Sequence, residues 1–256
     1  VSVSQSQDNV LSELFRRGQL NGCEVYLFDK SHLVDFEPRA HTWKHFLWSP
    51  NTWSGSPYSV LQCLLSELRE KSVLLLANHK FIDSNNSVAI FENGQRVHYD
   101  ILVNAAGGYS LSVSHLLGLK SNYSLLPFKG LYLKSKVPTN LFKSHIYPVP
   151  DIDQPFLGIH TTLTHDGYLK LGPTALPAFS PENYSGLDNI DLPQLPGLIA
   201  LQLSLFAKNS FGFRRLALRE FQYLFKSRII EDAQKLTSIQ LNPHDFDWYS
   251  PRNKGA

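Results

Sequence analysis

The chain has 256 residues, 43% of them hydrophobic, with a net charge of +2 and 18% charged side chains. That length and composition support a sizeable buried core, in one large domain or two intertwined ones. So weak and mixed a charge argues against nucleic acid or an anionic membrane as a partner, since both select strong basic fields. No apolar run reaches membrane-spanning length and no charged-then-apolar leader opens the chain, which predicts a cytoplasmic setting, with peripheral attachment to a membrane as the open variant. Cys23 and Cys63 form no metal-ligand or redox spacing and read as buried thiols in a reducing compartment. There is no Met, position 1 included, and this predicts a piece of a longer protein.

Residues 1–4 alternate like the end of a strand. Asp8 is the predicted N-cap of a helix with Val10, Leu11, Leu14 and Phe15 on one face, ending near Gly18 to Gly22. A short strand over 25–28, a helical turn through Leu33, Val34 and Phe36 to the Glu37-Pro38 stop, and a strand over 46–48 follow. Turn formers over 49–57 lead into an amphipathic helix over 58–70, with Val60, Leu61, Leu64, Leu65 and Leu68 predicted to be buried.

Residues 73–77 read as a strand, followed by an extended piece over 80–82 and a β-meander over 87–98 with turns at Asn85-Asn86 and Asn93-Gly94. Ile101-Leu102-Val103, too apolar for a wet face, predicts a strand buried on both sides. It runs into Asn104-Ala105-Ala106-Gly107-Gly108, small residues that let a backbone approach a ligand closely; a tight strand-to-helix turn is the alternative. A helix over 111–117 stops at Gly118. From Tyr123 the texture becomes short strands, over 125–128, 130–135, 145–149, 156–162 and 168–171, and predicts an antiparallel sheet. After a loop over 172–192, helices are expected near 196–208, 213–225 and 227–239, packed on that sheet or its edge. Residues 250–256 end in turn chemistry.

No Gly-x-Gly-x-x-Gly follows a strand, and no Gly-x-x-x-x-Gly-Lys-Ser/Thr occurs. His41 and His45 have the spacing of a helical metal pair but lack a third ligand, so no metal site is expected. No Gly-x-Ser-x-Gly elbow supports a hydrolase triad. The aromatics follow core periodicity without interleaved Lys and Arg, which argues against stacking on nucleic acid.

Several ordered segments are more specific together than any one alone. They are Val103-Asn104-Ala105-Ala106-Gly107-Gly108, Leu126-Pro127-Phe128-Lys129-Gly130-Leu131-Tyr132, Ile146-Tyr147-Pro148-Val149-Pro150-Asp151, Pro155-Phe156-Leu157-Gly158-Ile159-His160-Thr161-Thr162, Asp166-Gly167 and Leu171-Gly172-Pro173-Thr174-Ala175. With them the sequence resembles the FAD-dependent D-amino-acid-oxidase-like superfamily, closest to the branch of L-2-hydroxyglutarate dehydrogenases and oxidases. The resemblance runs along the whole chain, including Phe15-Arg16-Arg17-Gly18-Gln19-Leu20-Asn21-Gly22. It implies an α/β plus α+β fold: the remainder of a Rossmann-like FAD-binding domain interleaved with an antiparallel-sheet substrate domain covered by helices. The implied division is 1–52 for the first part of the substrate domain, 53–120 for the remainder of the FAD-binding domain and 121–256 for the sheet and its helices. Such relatives open with a Gly-rich FAD loop and continue into a Gly-Ile/Val-Arg-Ala-Gln motif; neither is present, and Lys254-Gly255-Ala256 stops as the latter would begin.

By resemblance, Ala105, Ala106 and Gly107 form an FAD-contacting turn, and Lys80 and Phe81 match the strand whose backbone meets the adenine. Lys129-Gly130 and Gly172-Pro173 match segments near the isoalloxazine. Lys129 stands where many relatives have Arg, which keeps a charge but loses the carboxylate fork, and Leu131 stands where many have Glu. The implied partners are a small 2-hydroxy acid and an electron acceptor: oxygen, a quinone or a flavoprotein. His160 is the candidate base for the substrate hydroxyl, because imidazole titrates near working pH; a structural histidine is the alternative. Lys129 and Tyr147 are candidate substrate ligands, Tyr147 being equally readable as a core aromatic. His145 and His165 read as solvent-facing or turn residues. The expected activity is FAD-dependent oxidation of a 2-hydroxy acid, L-2-hydroxyglutarate first, by the full-length protein, with this chain alone inactive. An inactive remnant or binding module, or an amine or amino-acid oxidase, are the alternatives.

Overall fold

The computed structural model describes residues 1–119, 122–151, 156–184 and 186–249. Helix α1 (Gln5–Leu20) precedes a hairpin-like pair of strands, β1 (Tyr26–Asp29) and β2 (His45–Trp48), with the short helix α2 (Leu33–Phe36) between them. Helix α3 (Pro57–Glu70) leads to a three-stranded antiparallel meander, β3 (Phe81–Asn85), β4 (Val88–Phe91) and β5 (Arg96–His98), and then to α4 (Ser110–Leu116). Strands β6 (Phe128–Lys129), β7 (Tyr132–Ser135), β8 (His160–Leu163), β9 (Leu169–Gly172) and β10 (Leu176–Pro177) follow. Helices α5 (Leu195–Lys208), α6 (Phe213–Gln222) and α7 (Lys226–Gln234) come next, and β11 (Phe246–Tyr249) last.

The central element is a four-stranded antiparallel sheet in the order β11-β7-β9-β8. Side chains alternate across a strand, and one face of this sheet presents Leu133, Thr161, Leu169, Leu171 and Phe246, all buried. Helix α7 packs across β9 and supplies Ile229, Ile230 and Ala233, so the 3.6-residue stripe of a helix closes the apolar face of the sheet. Leu33, Ala40 and Phe46 from the first segment belong to the same core, far away in sequence.

A buried polar cluster fastens α1 to that segment. Ser4, extended, is the N-cap and accepts from Gln7 N. Asp8 lies one turn into the helix, not at its cap as expected: the carboxylate is buried and accepts from His45 N at 2.9 Å, the His45 ring at 2.8 Å and Ser2 Oγ at 2.9 Å. Burial alone would raise this carboxyl; the His45 and Ser2 bonds outweigh it and hold it below the ordinary carboxylate range. His41 and His45 are therefore no helical pair, His45 lying on β2. Among the described residues no cluster of His, Cys, Asp and Glu could hold a metal ion.

Several expectations are corrected. Residues 1–4 form no strand, although Val1 N donates to Tyr147 O, Val1 O accepts from Val149 N and Ser2 O accepts from Trp43 N. Residues 73–77 and 101–103 are unpaired as well, with Leu74 79%, Ile101 83% and Val103 81% exposed. A doubly buried parallel strand needs a ladder and helices over both faces, and no described segment pairs with either run. For the same reason the apolar face of α3 stays bare, with no buried residue in that helix. Residues 145–149 contribute one bridge, Ile146 to Thr161, because Pro148 and Pro150 remove ladder donors. Finally, both cysteines are exposed. Strand β11 was not anticipated, although Phe246-Asp247-Trp248-Tyr249 carries an aromatic-rich strand signal. Residues 250–256, Lys254-Gly255-Ala256 among them, lie outside the described residues. No helix among the described residues is long and apolar enough to cross a membrane.

These exposures predict a contrast. Ile229→Ala should lower unfolding free energy by roughly 2–5 kcal/mol through loss of packing around α7, whereas Leu61→Ala on α3 should stay within about 0.5 kcal/mol. Denaturant midpoints measure both, and equal losses would mean that the α3 face is packed.

Candidate functional site

The second face of the four-stranded sheet is polar. Its rows follow from the register: His160 lies opposite Gly172, and Thr162 opposite Lys170. Lys170 in turn lies opposite Lys134, while Tyr132 and Lys134 lie opposite Tyr249 and Asp247. Alternation that buries Leu171 and Thr161 on one side must put His160, Lys170 and Gly172 on the other.

His160 is 6% exposed. Its Nδ1 is 3.2 Å from the Gly158 carbonyl. A carbonyl only accepts, so that bond places the proton on Nδ1 and leaves the Nε2 lone pair as the proton acceptor. The Tyr147 ring lies across the imidazole at a centroid distance of 4.4 Å. Burial, with the nearby charges of Lys170 and His145 and against the Gly158 bond, pushes His160 down to about 4, so the ring is neutral at neutral pH.

Tyr147 also lines a cavity of about 460 Å³ together with Phe36, Trp48, Trp53 and His145. His145 corrects an expectation: it is half-buried and held, accepting from Leu163 N at Nδ1 (3.0 Å) and lying 3.1 Å from Ser54 Oγ through Nε2. Ser54 Oγ donates to Leu163 O, so His145 Nε2 carries the proton. His165 is exposed in a turn, as expected.

Gly172 ends β9, and a Cβ there would lie 2.6 Å from the Tyr132 ring and 2.9 Å from Leu131 O, so only glycine fits against that ring. A Cβ on Gly130 would meet Pro173 at 3.1 Å, which joins the two segments matched to the isoalloxazine side. Lys129 is half-buried; its ammonium donates to Asn183 Oδ1 at 2.9 Å and Gly186 O at 2.8 Å. It borders a separate apolar cavity of about 450 Å³ against α5 and α6, and its ammonium contacts among the described residues, Asn183, Gly186 and the Phe179 ring, include neither His160 nor Tyr147.

The small-residue turn sits apart from the sheet, ahead of α4. Asn104 Nδ2 donates to Ser110 O at 2.8 Å and Ser114 Oγ at 3.1 Å, and its Oδ1 accepts from Ala106 N. This clamp fixes Ala105 and Ala106 facing outward and lets Gly107 take φ +54°. Helix α4 packs against β3, so Lys80 and Phe81 belong to the same unit as the turn. Lys80 pairs with Glu92, and the Phe81 ring packs edge-on against Phe91.

Comparison with known proteins bears directly on this arrangement. Residues 1–209 match the model of the family described as FAD dependent oxidoreductase. The chain belongs to that family. It is 29% identical over 229 residues to the mitochondrial L-2-hydroxyglutarate dehydrogenase of Caenorhabditis briggsae, covering 84% of this chain and 52% of the relative. It is 37% identical over 148 residues to the Bos taurus protein of the same name, covering 56% and 30%. Among solved structures it resembles the FAD-bound, dithionite-reduced L-alpha-glycerophosphate oxidase of Mycoplasma pneumoniae, with a TM-score of 0.58 and 19% identity over 77% of this chain and 54% of that one. That likeness concerns the fold, and the chain spans about half the length of the relatives it matches.

The family is FAD dependent, and the residues of this chain fit part of that cofactor. The Ala105-Ala106-Gly107 turn is small and exposed, with nothing within 4 Å of where a Gly107 Cβ would stand. The pyrophosphate donors of a Gly-x-Gly-x-x-Gly loop have no counterpart in this sequence. Sequence reasoning missed Tyr132, Lys134, Lys170 and Tyr249, although the period-2 alternation of 132–135 and 169–172 could have placed the first three on one face.

Burial of His160 has a consequence for stability. The imidazole protonates near 6.5 when unfolded and near 4 when folded, so between these values the unfolded chain binds more protons. Folding stability should therefore fall as pH drops through that window, by about 3 kcal/mol for this group. Denaturant melts of His160→Phe should show a shallower acid limb than the parent chain, and identical slopes would contradict the burial.

Proposed function

We propose that the full-length protein is an FAD-dependent dehydrogenase or oxidase acting on a small 2-hydroxy acid, with L-2-hydroxyglutarate going to 2-oxoglutarate. The observation carrying this reading is His160 with its Nε2 lone pair as proton acceptor, roofed by Tyr147 and standing opposite Gly172. The names of the relatives supply the substrate class. Bound FAD supplies the hydride acceptor.

The rest is the work of this chain's residues. The hydride leaves C2, the hydroxyl proton passes to His160 Nε2, and the C2–O bond becomes a carbonyl, which balances the two-electron oxidation. A neutral imidazole is the form able to accept that proton. Its low proton affinity in the empty site rises when carboxylates come beside it. Tyr147 Oη donates to the substrate, and Lys129 is the cation towards the flavin end. Backbone at Gly130 and at Gly172-Pro173 would border the isoalloxazine, Lys80-Phe81 would meet the adenine, and Ala105-Ala106-Gly107 would form a further FAD-contacting turn. Residues 53–120 form the cofactor side, and 1–52 with 121–256 form the substrate side. The shared core of Leu33, Ala40 and Phe46 with Leu133 and Ile229 supports that grouping. Oxygen, a quinone or a second flavoprotein takes the electrons away.

Two outcomes test the reading. The 256-residue chain alone should hold no stoichiometric FAD, and a tight yellow complex on gel filtration would contradict the partial site. In the full-length flavoprotein, His160→Ala should slow anaerobic flavin reduction by about 100-fold or more without releasing flavin; an unchanged rate removes His160 as the base.

A further inference from the structure

Lys134 and Lys170 stand directly opposite one another on neighbouring antiparallel strands and on the same polar face. Like charges in that position cost stability unless something offsets them. Lys134 Nζ is 3.3 Å from Asp166 Oδ2 and 3.5 Å from the Tyr168 ring centroid. Asp247, opposite Lys134 on β11, has Lys226 Nζ at 3.6 Å. Lys170 Nζ lies 4.0 Å from the Tyr132 ring and 4.7 Å from that of Tyr249.

The Tyr132 ring is the one laid against Gly172, the residue opposite His160. Lys170 therefore leans out of its own row towards that of His160. One strand over and two residues along, the two Cα atoms are about 8 Å apart by sheet geometry. Side chains on one face stand roughly perpendicular to the sheet, so the ammonium and the imidazole are held apart by a span that a short diacid bridges.

We propose that Lys170, with Lys134 behind it, binds the far carboxylate of a dicarboxylate whose hydroxyl-bearing carbon lies at His160, and so selects glutarate-length 2-hydroxy diacids over 2-hydroxy monoacids. This rests on the 2-hydroxy acid reading and deepens it. It also couples recognition to chemistry. The Lys170 charge is one of the influences lowering His160, and a carboxylate seated on Lys170 offsets it, raising the proton affinity of the base when the right substrate is present.

The test has two arms, both in the full-length flavoprotein. In calorimetry, glutarate should bind about tenfold or more weaker to Lys170→Met and Lys170→Gln than to the parent, butyrate should be unaffected, and Lys170→Arg should restore glutarate binding. In turnover, Lys170→Met should raise KM for L-2-hydroxyglutarate about tenfold or more and shrink the kcat/KM preference for L-2-hydroxyglutarate over L-2-hydroxybutyrate by a similar factor. Thermal melts within a few degrees of the parent certify the fold of each variant. Glutarate affinity unchanged in both folded variants overturns the proposal whatever the enzyme oxidises. Lysine-dependent glutarate binding without flavin reduction by any 2-hydroxy acid keeps the dicarboxylate site and overturns the activity reading instead.

Discussion

Closure of the four-stranded sheet by α7 is the constraint on which the rest depends. Leu133, Leu169 and Leu171 lose all or nearly all contact with water against Ile229 and Leu236. Because a strand alternates, burying that set fixes the register, and a slip by one residue would turn the leucines out and the lysines in. The same burial therefore orders the opposite face, where His160, Gly172 and Tyr132 form one row and Thr162, Lys170 and Lys134 the next. The proposed chemistry on the polar face would thus be positioned by packing on the apolar one.

The cofactor-side stretch lacks that support and behaves accordingly. Ile101 and Val103 have the composition of a central parallel strand, but without ladder partners their backbone groups stay with solvent and their side chains stay exposed. What persists is local: the Asn104 side chain holds the turn, Gly107 takes its positive φ, and α4 follows. In the proposed reading this turn would be one portion of a flavin-binding surface, joined to the better-packed sheet.

The sequence was informative where structure is set by neighbours in the chain. The helices at 5–20, 57–70 and 195–208 and the meander at 81–98 follow from periodicity and turn residues. It misled where a partner in space decides. The runs at 73–77 and 101–103 needed a ladder, and Asp8 looked like a cap until His45 and Ser2 claimed it. His145 looked exposed because the bonds that hold it come from Ser54 and Leu163, distant in sequence. His160 was singled out through the family resemblance; its tautomer needed the Gly158 carbonyl contact, and the two-lysine row needed the register.

The most direct measurement is anaerobic bleaching of the full-length flavoprotein by L-2-hydroxyglutarate, protiated and deuterated at C2. The account predicts stoichiometric bleaching, slowed by a primary isotope effect of about two or more because the C2–H bond breaks as the flavin is reduced. An oxidised flavin left unchanged by this and other 2-hydroxy acids, but bleached by an amino acid, would contradict it.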